Sequence, residues 1–356
     1  MDYRISFDLL HISDYDPNLR MVTSRNLPFD LRFYSRLGIA IARKRFNLPI
    51  PEKWGWRLAQ NYWMPVADAN GLGADVVLSY ERYPINAKHP VIWVGGTADV
   101  EGMRDRGVTE AHIQRLINFK REANMRAAAT VIPTASKKRL FDDAIQPSKP
   151  TMVIPMFQPI EPISKDLFLQ KWASPEPFRL LFVGRAPRRK GLALVLQAYE
   201  MLCRRYPNRL SLHVVTTHQD GYVEIPSLPS LTVESLIPHS RVIELMTASH
   251  YLLMPSSVEE YGFVYVEAMA RGMIPLASDS PVQRDLLDEG RAGLLVERSG
   301  ESIVEAIRAG IEDPEKAKAL AAQAFGLWHN RYAPAVIARQ YAALAESICR
   351  QTDRIG

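Results

Sequence analysis

Short apolar runs alternate with amphipathic stretches over most of this 356-residue chain. The runs at 74–79, 91–94, 129–133 and 151–155 read as buried strands. Between them, residues 110–129 carry the period of a helix, and Ser136 is placed to cap another through Phe141. Residues 156–178 hold Pro159, Pro162, Pro175 and Pro177 and read as irregular. The alternation then resumes, with strands expected at 179–183, 210–216, 231–236, 251–254, 274–277 and 292–296. Helices are expected at 191–205, 240–248, 263–271 and 282–288, and from Ser299 or Gly300 to Gly310. Strands separated by helices of this length are joined by crossovers and so run parallel. The pattern predicts an α/β chain with two Rossmann-like domains. The first spans residues 1–160, a linker follows at 161–178, and the second spans 179–332. Residues 313–353 read as helix, interrupted near Tyr332-Ala333-Pro334 because proline lacks the N–H that a helix interior needs. The piece at 333–356 is then a terminal helix.

Composition narrows the classes. Hydrophobic residues make up 47% and charged residues 23%, which is ordinary for a globular protein with a full core. No run of 18 apolar residues predicts a membrane span, and Met1-Asp2-Tyr3-Arg4-Ile5 lacks the layout of a signal peptide. Cys203 and Cys349 have no metal-ligand spacing and form no disulfide framework, so a reducing cytoplasm is expected. A net charge of +5 suits phosphate-bearing ligands and anionic membrane surfaces. No basic stripe accompanies a nucleic-acid reader motif, and no nucleic-acid partner is expected.

The most informative stretch is Pro255-Ser256-Ser257-Val258-Glu259-Glu260-Tyr261-Gly262-Phe263-Val264-Tyr265-Val266-Glu267. A buried strand feeds a helix through a polar turn containing glycine. That arrangement builds an anion and polyol site at the strand's carboxyl end. Glu259 falls in the loop and Glu267 inside the helix, where carboxylates can accept from sugar or ribose hydroxyls. The same two residues could instead simply complement the helix dipole. A second stretch, Phe182-Val183-Gly184-Arg185-Ala186-Pro187-Arg188-Arg189-Lys190-Gly191, sets two glycines around a basic cluster. It can grip phosphate or be a solvated turn.

Together these stretches resemble the E-x7-E and G-R-x5-K-G signatures of the retaining glycosyltransferases of family 4, which have the GT-B fold. The likeness continues through Glu267-Ala268-Met269-Ala270-Arg271-Gly272, Ile274-Pro275-Leu276-Ala277 and Gly293-Leu294-Leu295-Val296. It covers residues 178–345 well and 1–160 poorly. The resemblance implies two domains with an interdomain cleft and a C-terminal helix crossing back to the N-terminal domain. It implies transfer of a hexose from a UDP- or GDP-sugar to a glycan or lipid-linked acceptor, without a metal or other cofactor. Arg185 and Lys190 would hold the donor diphosphate and Glu259 would lie at the transferred sugar. Gly184, Glu260, Tyr261, Gly262 and Phe263 would line the donor, and Glu267 would bind its ribose. Same-face attack guided by the leaving phosphate is the family's usual account of retention. Synthesis of cell-surface polysaccharide or glycolipid, at the inner face of the membrane, is the expected setting.

Several positions depart from that pattern. The family's Gly-Gly turn after 274–277 is Ser280-Pro281, with Asp285 where glutamate is common, and its Asn-Gly before the linker is Met156-Phe157. The usual N-domain histidine is missing. The matching place reads Trp93-Val94-Gly95-Gly96-Thr97-Ala98-Asp99, so Gly95, Gly96, Thr97 and Asp99 become the acceptor-side candidates. That departure also leaves room for a catalytically silent, nucleotide-sugar-binding scaffold subunit. Phosphorolysis is disfavoured because no pyridoxal-phosphate lysine motif is recognisable. Asp14-Tyr15-Asp16 has a metal-binding D-x-D spacing but precedes Pro17, and no metal site is expected. His239 reads as a residue that caps or solvates the helix it opens. Arg32, Arg36, Arg43, Lys44 and Arg45, followed by Trp54, Trp56, Tyr62 and Trp63, could dock on an anionic bilayer or pack as core beneath a solvated basic face.

Overall fold

The computed structural model describes residues 63–64, 76–81, 83–84, 89–96, 98–105 and 107–352. The basic aromatic segment before Trp63, Asp14-Tyr15-Asp16 and Thr97 lie outside them. Contacts divide the chain into two units. One holds the residues up to Phe157 together with Ile337 onward, and the other holds Gln158–Val336.

The first unit is built on a four-stranded parallel sheet in the order β2 (Val77–Tyr80), β4 (Val91–Val94), β5 (Ala129–Ile132), β6 (Thr151–Val153). β1 (Trp63–Met64) and β3 (Tyr83–Pro84) form a separate two-stranded parallel sheet. All four residues of β4 are buried, which requires both faces of the sheet to be covered. Successive side chains of a strand point to opposite faces. Val91 and Trp93 accordingly pack with Phe119, Ala123, Phe141 and Ile145 of the helices Glu110–Arg126 and Ala135–Ile145. Ile92 and Val94 pack instead with Ile337, Ala338, Tyr341, Leu344 and Ile348 of the last helix, Pro334–Thr352.

The second unit has a six-stranded parallel sheet. Its strands are β7 (Phe178–Gly184), β8 (Leu210–Thr216), β9 (Leu231–Glu234), β10 (Tyr251–Met254), β11 (Ile274–Ser278) and β12 (Leu294–Val296). Their spatial order is β12-β11-β10-β7-β8-β9. The chain therefore builds outward from β7 on one side, returns to β10 against the other side of β7, and builds outward again. Phe178, Leu180 and Phe182 of β7 anchor the core with Val195, Tyr199 and Leu202 of the helix Leu192–Arg205 and Ile303, Ile307 and Ile311 of the helix Gly300–Glu312.

Three sequence expectations change. Thr134, not Ser136, caps the helix after β5: its Oγ1 accepts from the Lys137 N–H, and the helix runs four residues beyond Phe141 to Ile145. The proline-rich stretch before β7 is not irregular throughout. Ser164 accepts from the Leu167 N–H and starts a helix, Lys165–Ala173, that buries Phe168 and Trp172. The prolines lie outside that helix, where they cost it nothing. The long C-terminal helical stretch is Pro314–Leu327, a wider π-type turn at Trp328–Tyr332, and then Pro334–Thr352, with Pro334 opening the last piece.

At the amino ends of β7, β10 and β11 sits a buried histidine. His250 Nδ1 accepts from the Arg179 N–H at 3.0 Å, and Nε2 lies 3.1 Å from the Lys171 carbonyl. This pattern selects the neutral ring protonated on Nε2. Burial, and after it the Arg179 charge, push the ring down to about 3. In the unfolded chain the ring takes its proton near pH 6.5. Between those values the unfolded state holds one more proton, so stability falls as pH drops, by about 1.4 kcal/mol per pH unit. Denaturant unfolding between about pH 5 and 7 should show a shallower acid loss for His250→Gln than for the unaltered chain. Equal slopes would remove His250 as the cause.

Candidate functional site

The reversal of strand order puts the carboxyl ends of β7 and β10 side by side, with Tyr251 and Leu252 in register with Leu180 and Leu181. In open parallel sheets such a reversal leaves a crevice, because the connections leave toward opposite faces. The two stretches singled out from the sequence are the two loops at this point. Gly184–Gly191 follows β7, and Pro255–Gly262 follows β10.

Glycines shape both loops. Gly191 has a φ of +80°, and a Cβ there would fall 2.5 Å from the Pro255 carbonyl oxygen, so only glycine lets the loops touch. Gly262, at φ +86°, turns the second loop into the helix Phe263–Ala270. A Cβ on Gly184 would meet the Lys190 stem at 2.9 Å. The first loop ends in a short turn of helix, Pro187–Lys190. Asp220 holds that turn by accepting from the Arg188 and Arg189 N–H groups at 3.2 and 2.8 Å. Arg189 then ties the loops together: its guanidinium donates to the Val258 carbonyl at 2.8 Å, and its own carbonyl accepts from the Ser257 N–H at 2.8 Å.

Lys190 and Glu259 form an ion pair across this junction. The Glu259 side chain is only 6% exposed and that of Lys190 14%. Burial lowers the Lys190 ammonium below its ordinary range, and the adjoining Glu259 carboxylate opposes that shift. Arg189 stands farther off, 4.0 Å from the same carboxylate oxygen. Arg185 and Glu260 are exposed, while Tyr261 is buried and lies against the Phe263 ring at 5.1 Å. Beneath the loop, Tyr265 donates its hydroxyl to the Met254 carbonyl at 2.7 Å and fastens the helix to the end of β10.

Glu267 lies farther along that helix. Its Oε1 accepts from Gln158 Nε2 at 2.8 Å and faces His239 Nε2 at 3.2 Å. Neither partner was a site candidate from the sequence. Gln158 falls in the proline-rich stretch, 109 residues from Glu267, with no spacing to mark it. His239 is the first residue of the helix His239–Ala248, and its ring is turned toward Glu267.

Of the acceptor-side candidates, Gly95, Gly96 and Asp99 are among the described residues, in the first unit. Gly95 donates to the Val131 carbonyl and packs beside Trp93, where a Cβ would come within 3.2 Å of the indole. The Gly96 carbonyl accepts from Lys120 Nζ at 2.9 Å. Asp99 accepts from the Gly102 N–H at 2.9 Å and so caps the helix Val100–Asp105. Among the described residues, no three His, Cys, Asp or Glu side chains cluster as metal ligands would.

An isolated charge at the Lys190–Glu259 junction would be costly. Lys190→Met should therefore destabilise the second unit by about 3 kcal/mol, and Lys190→Met combined with Glu259→Gln should recover much of that loss. Denaturant titration of the single and double variants checks it; additive losses would deny the coupling.

Residues 164–326 match the family described as Glycosyl transferases group 1. Over 152 residues the chain is 27% identical to an alpha-maltose-1-phosphate synthase of Mycolicibacterium smegmatis, covering 38% of this chain and 39% of that protein. Over 128 residues it is 30% identical to a D-inositol 3-phosphate glycosyltransferase of Corynebacterium urealyticum, covering 33% of this chain and 30% of that protein. The chain thus spans under two-fifths of the length of these curated relatives. Among solved structures, Anabaena HepE in complex with UDP-glucose superposes with a TM-score of 0.58 at 18% identity, over 77% of this chain and 79% of that one. At that identity the likeness speaks for the fold, which is the parallel α/β architecture of the GT-B glycosyltransferases. Just under half of the chain, residues 164–326, is thus similar to the glycosyl transferases group 1.

Proposed function

We propose that this protein is a retaining glycosyltransferase of the family 4 type that moves a hexose from a nucleoside-diphosphate sugar to a hydroxyl acceptor. The observation that carries the reading is the meeting of Lys190 and Glu259 where the strand order reverses, with Glu267 in the helix that follows. The relatives' names, a maltose-1-phosphate synthase and inositol phosphate glycosyltransferases, support the same class of reaction. The UDP-glucose carried by HepE favours UDP among the donors.

In this reading Arg185 and Lys190 hold the donor diphosphate. The anomeric carbon–oxygen bond breaks, and its electron pair goes to the β-phosphate. The acceptor oxygen forms the new bond on the same face, and its proton passes to the departing phosphate. Negative charge grows on the phosphate as the bond lengthens, and fixed positive charge is most effective there. Arg185 offers a planar fork and Lys190 a compact charge, which together can replace a metal. Glu259 is already bonded to Lys190 and lies near the sugar, where its charge favours the cationic anomeric carbon. Glu267 accepts from the ribose. Gly184, Glu260, Tyr261, Gly262 and Phe263 shape the floor. Gly95, Gly96, Thr97 and Asp99 remain the proposed acceptor side, with a glycan or lipid-linked acceptor. No described helix is long and apolar enough to cross a membrane. Work at the inner face of the cell membrane, in polysaccharide or glycolipid synthesis, fits the basic charge of the chain.

Thermal unfolding with UDP, GDP and ADP tests the donor. A nucleotide at 100 times its dissociation constant should add about 2.7 kcal/mol of stability to the unaltered chain and markedly less to Glu267→Ala. No shift with any of the three would remove the reading. Glu259→Ala should lose sugar transfer by about a hundredfold or more while retaining nucleotide binding. Full turnover in that variant would strip Glu259 of its role.

A further inference from the structure

Glu267 is gripped from two sides on one oxygen. Gln158 Nε2 and His239 Nε2 both meet Oε1, at 2.8 and 3.2 Å. A carboxylate offers about four acceptor positions over two oxygens. With both protein donors on Oε1, Oε2 is the oxygen that can face a ligand hydroxyl. The Glu267 side chain is 13% exposed, so its orientation is set by these partners rather than by solvent.

Gln158 is unusual as a packing residue. It is 8% exposed, yet its Oε1 is buried without a hydrogen-bond partner. Buried side-chain amides that serve only the core normally satisfy their carbonyl. The hydrogen bond that the Gln158 side chain makes goes to Glu267. His239 reaches the same oxygen from the first turn of its helix, 28 residues upstream of Glu267.

We propose that Gln158 and His239 are positioning residues for ribose recognition: they hold Glu267 through Oε1 so that Oε2 accepts from a ribose hydroxyl of the nucleoside diphosphate. The inference rests on the donor reading above and adds two residues which that reading does not require. A carboxylate ordered in advance loses little freedom when the ligand arrives, and the gain falls on the hydroxyl it contacts. The effect is therefore on discrimination between ribose and deoxyribose, not on the grip of the phosphates.

The test is equilibrium binding of UDP, GDP and ADP and of their 2′-deoxy and 3′-deoxy counterparts. The proteins are the unaltered chain, Gln158→Leu, His239→Leu, His239→Gln and Glu267→Ala. The unaltered chain should favour the ribonucleotide over at least one deoxy form by about tenfold or more, the loss expected when a charged group's hydrogen bond goes unmade. Gln158→Leu and His239→Leu should each collapse most of that preference. His239→Gln, which retains an N–H donor, should recover part of it. A general loss of structure would weaken ribo and deoxy forms alike and leave their ratio unchanged. A preference that disappears in Glu267→Ala but persists in both Gln158→Leu and His239→Leu overturns the positioning role and leaves the donor reading intact. Failure of the unaltered chain to bind any nucleoside diphosphate removes both.

Discussion

The adjacency of β7 and β10 is the constraint on which the site depends. Four other second-unit strands lie outside this pair, two on each side, so the loops after β7 and β10 meet although nearly 70 residues separate them. Each loop alone is unremarkable: one is basic and the other acidic. Placed at neighbouring strand ends, they become a largely enclosed ion pair between Lys190 and Glu259. Gly191 permits the contact by giving Pro255 room that no side chain would leave. The hydrogen bonds from Arg189 to Val258 and from Ser257 to Arg189 then hold the loops at that spacing. The ion pair is thus a property of strand order.

Much of this was legible in the sequence, for a physical reason. Strands buried on both faces are mostly apolar, so Tyr251–Met254 and Ile274–Ala277 announce themselves as apolar runs. Loops at their ends must be polar and carry glycine where the backbone turns left-handed, as at Gly191 and Gly262. Contacts between distant positions leave no such trace. Gln158 and His239 converge on Glu267 through the tertiary fold, and nothing local distinguishes Gln158 from its proline-rich surroundings or His239 from a solvated helix start. The helix Lys165–Ala173 was hidden by the same prolines, although Ser164 is a good N-cap and the buried Phe168 and Trp172 lie one helical turn apart.

In the first unit, three of the candidate residues, Gly95, Gly96 and Asp99, also have structural partners. Asp99 closes a helix start, Gly95 is pressed against Trp93, and the Gly96 carbonyl accepts from Lys120. A short polar loop at a strand end looks the same in sequence whether it faces a ligand or caps a helix.

The last helix has a consequence for how the chain is made. Ile92 and Val94 present one face of the first sheet to Ile337, Ala338, Tyr341 and Leu344, which are synthesised after the whole second unit. At ordinary translation rates that face waits roughly 10 to 40 seconds for these residues. The second unit, whose core is drawn from a continuous stretch of chain, can close during that interval. The part of the first unit that emerges first is therefore covered last, its apolar sheet face left open until the helix Pro334–Thr352 is made.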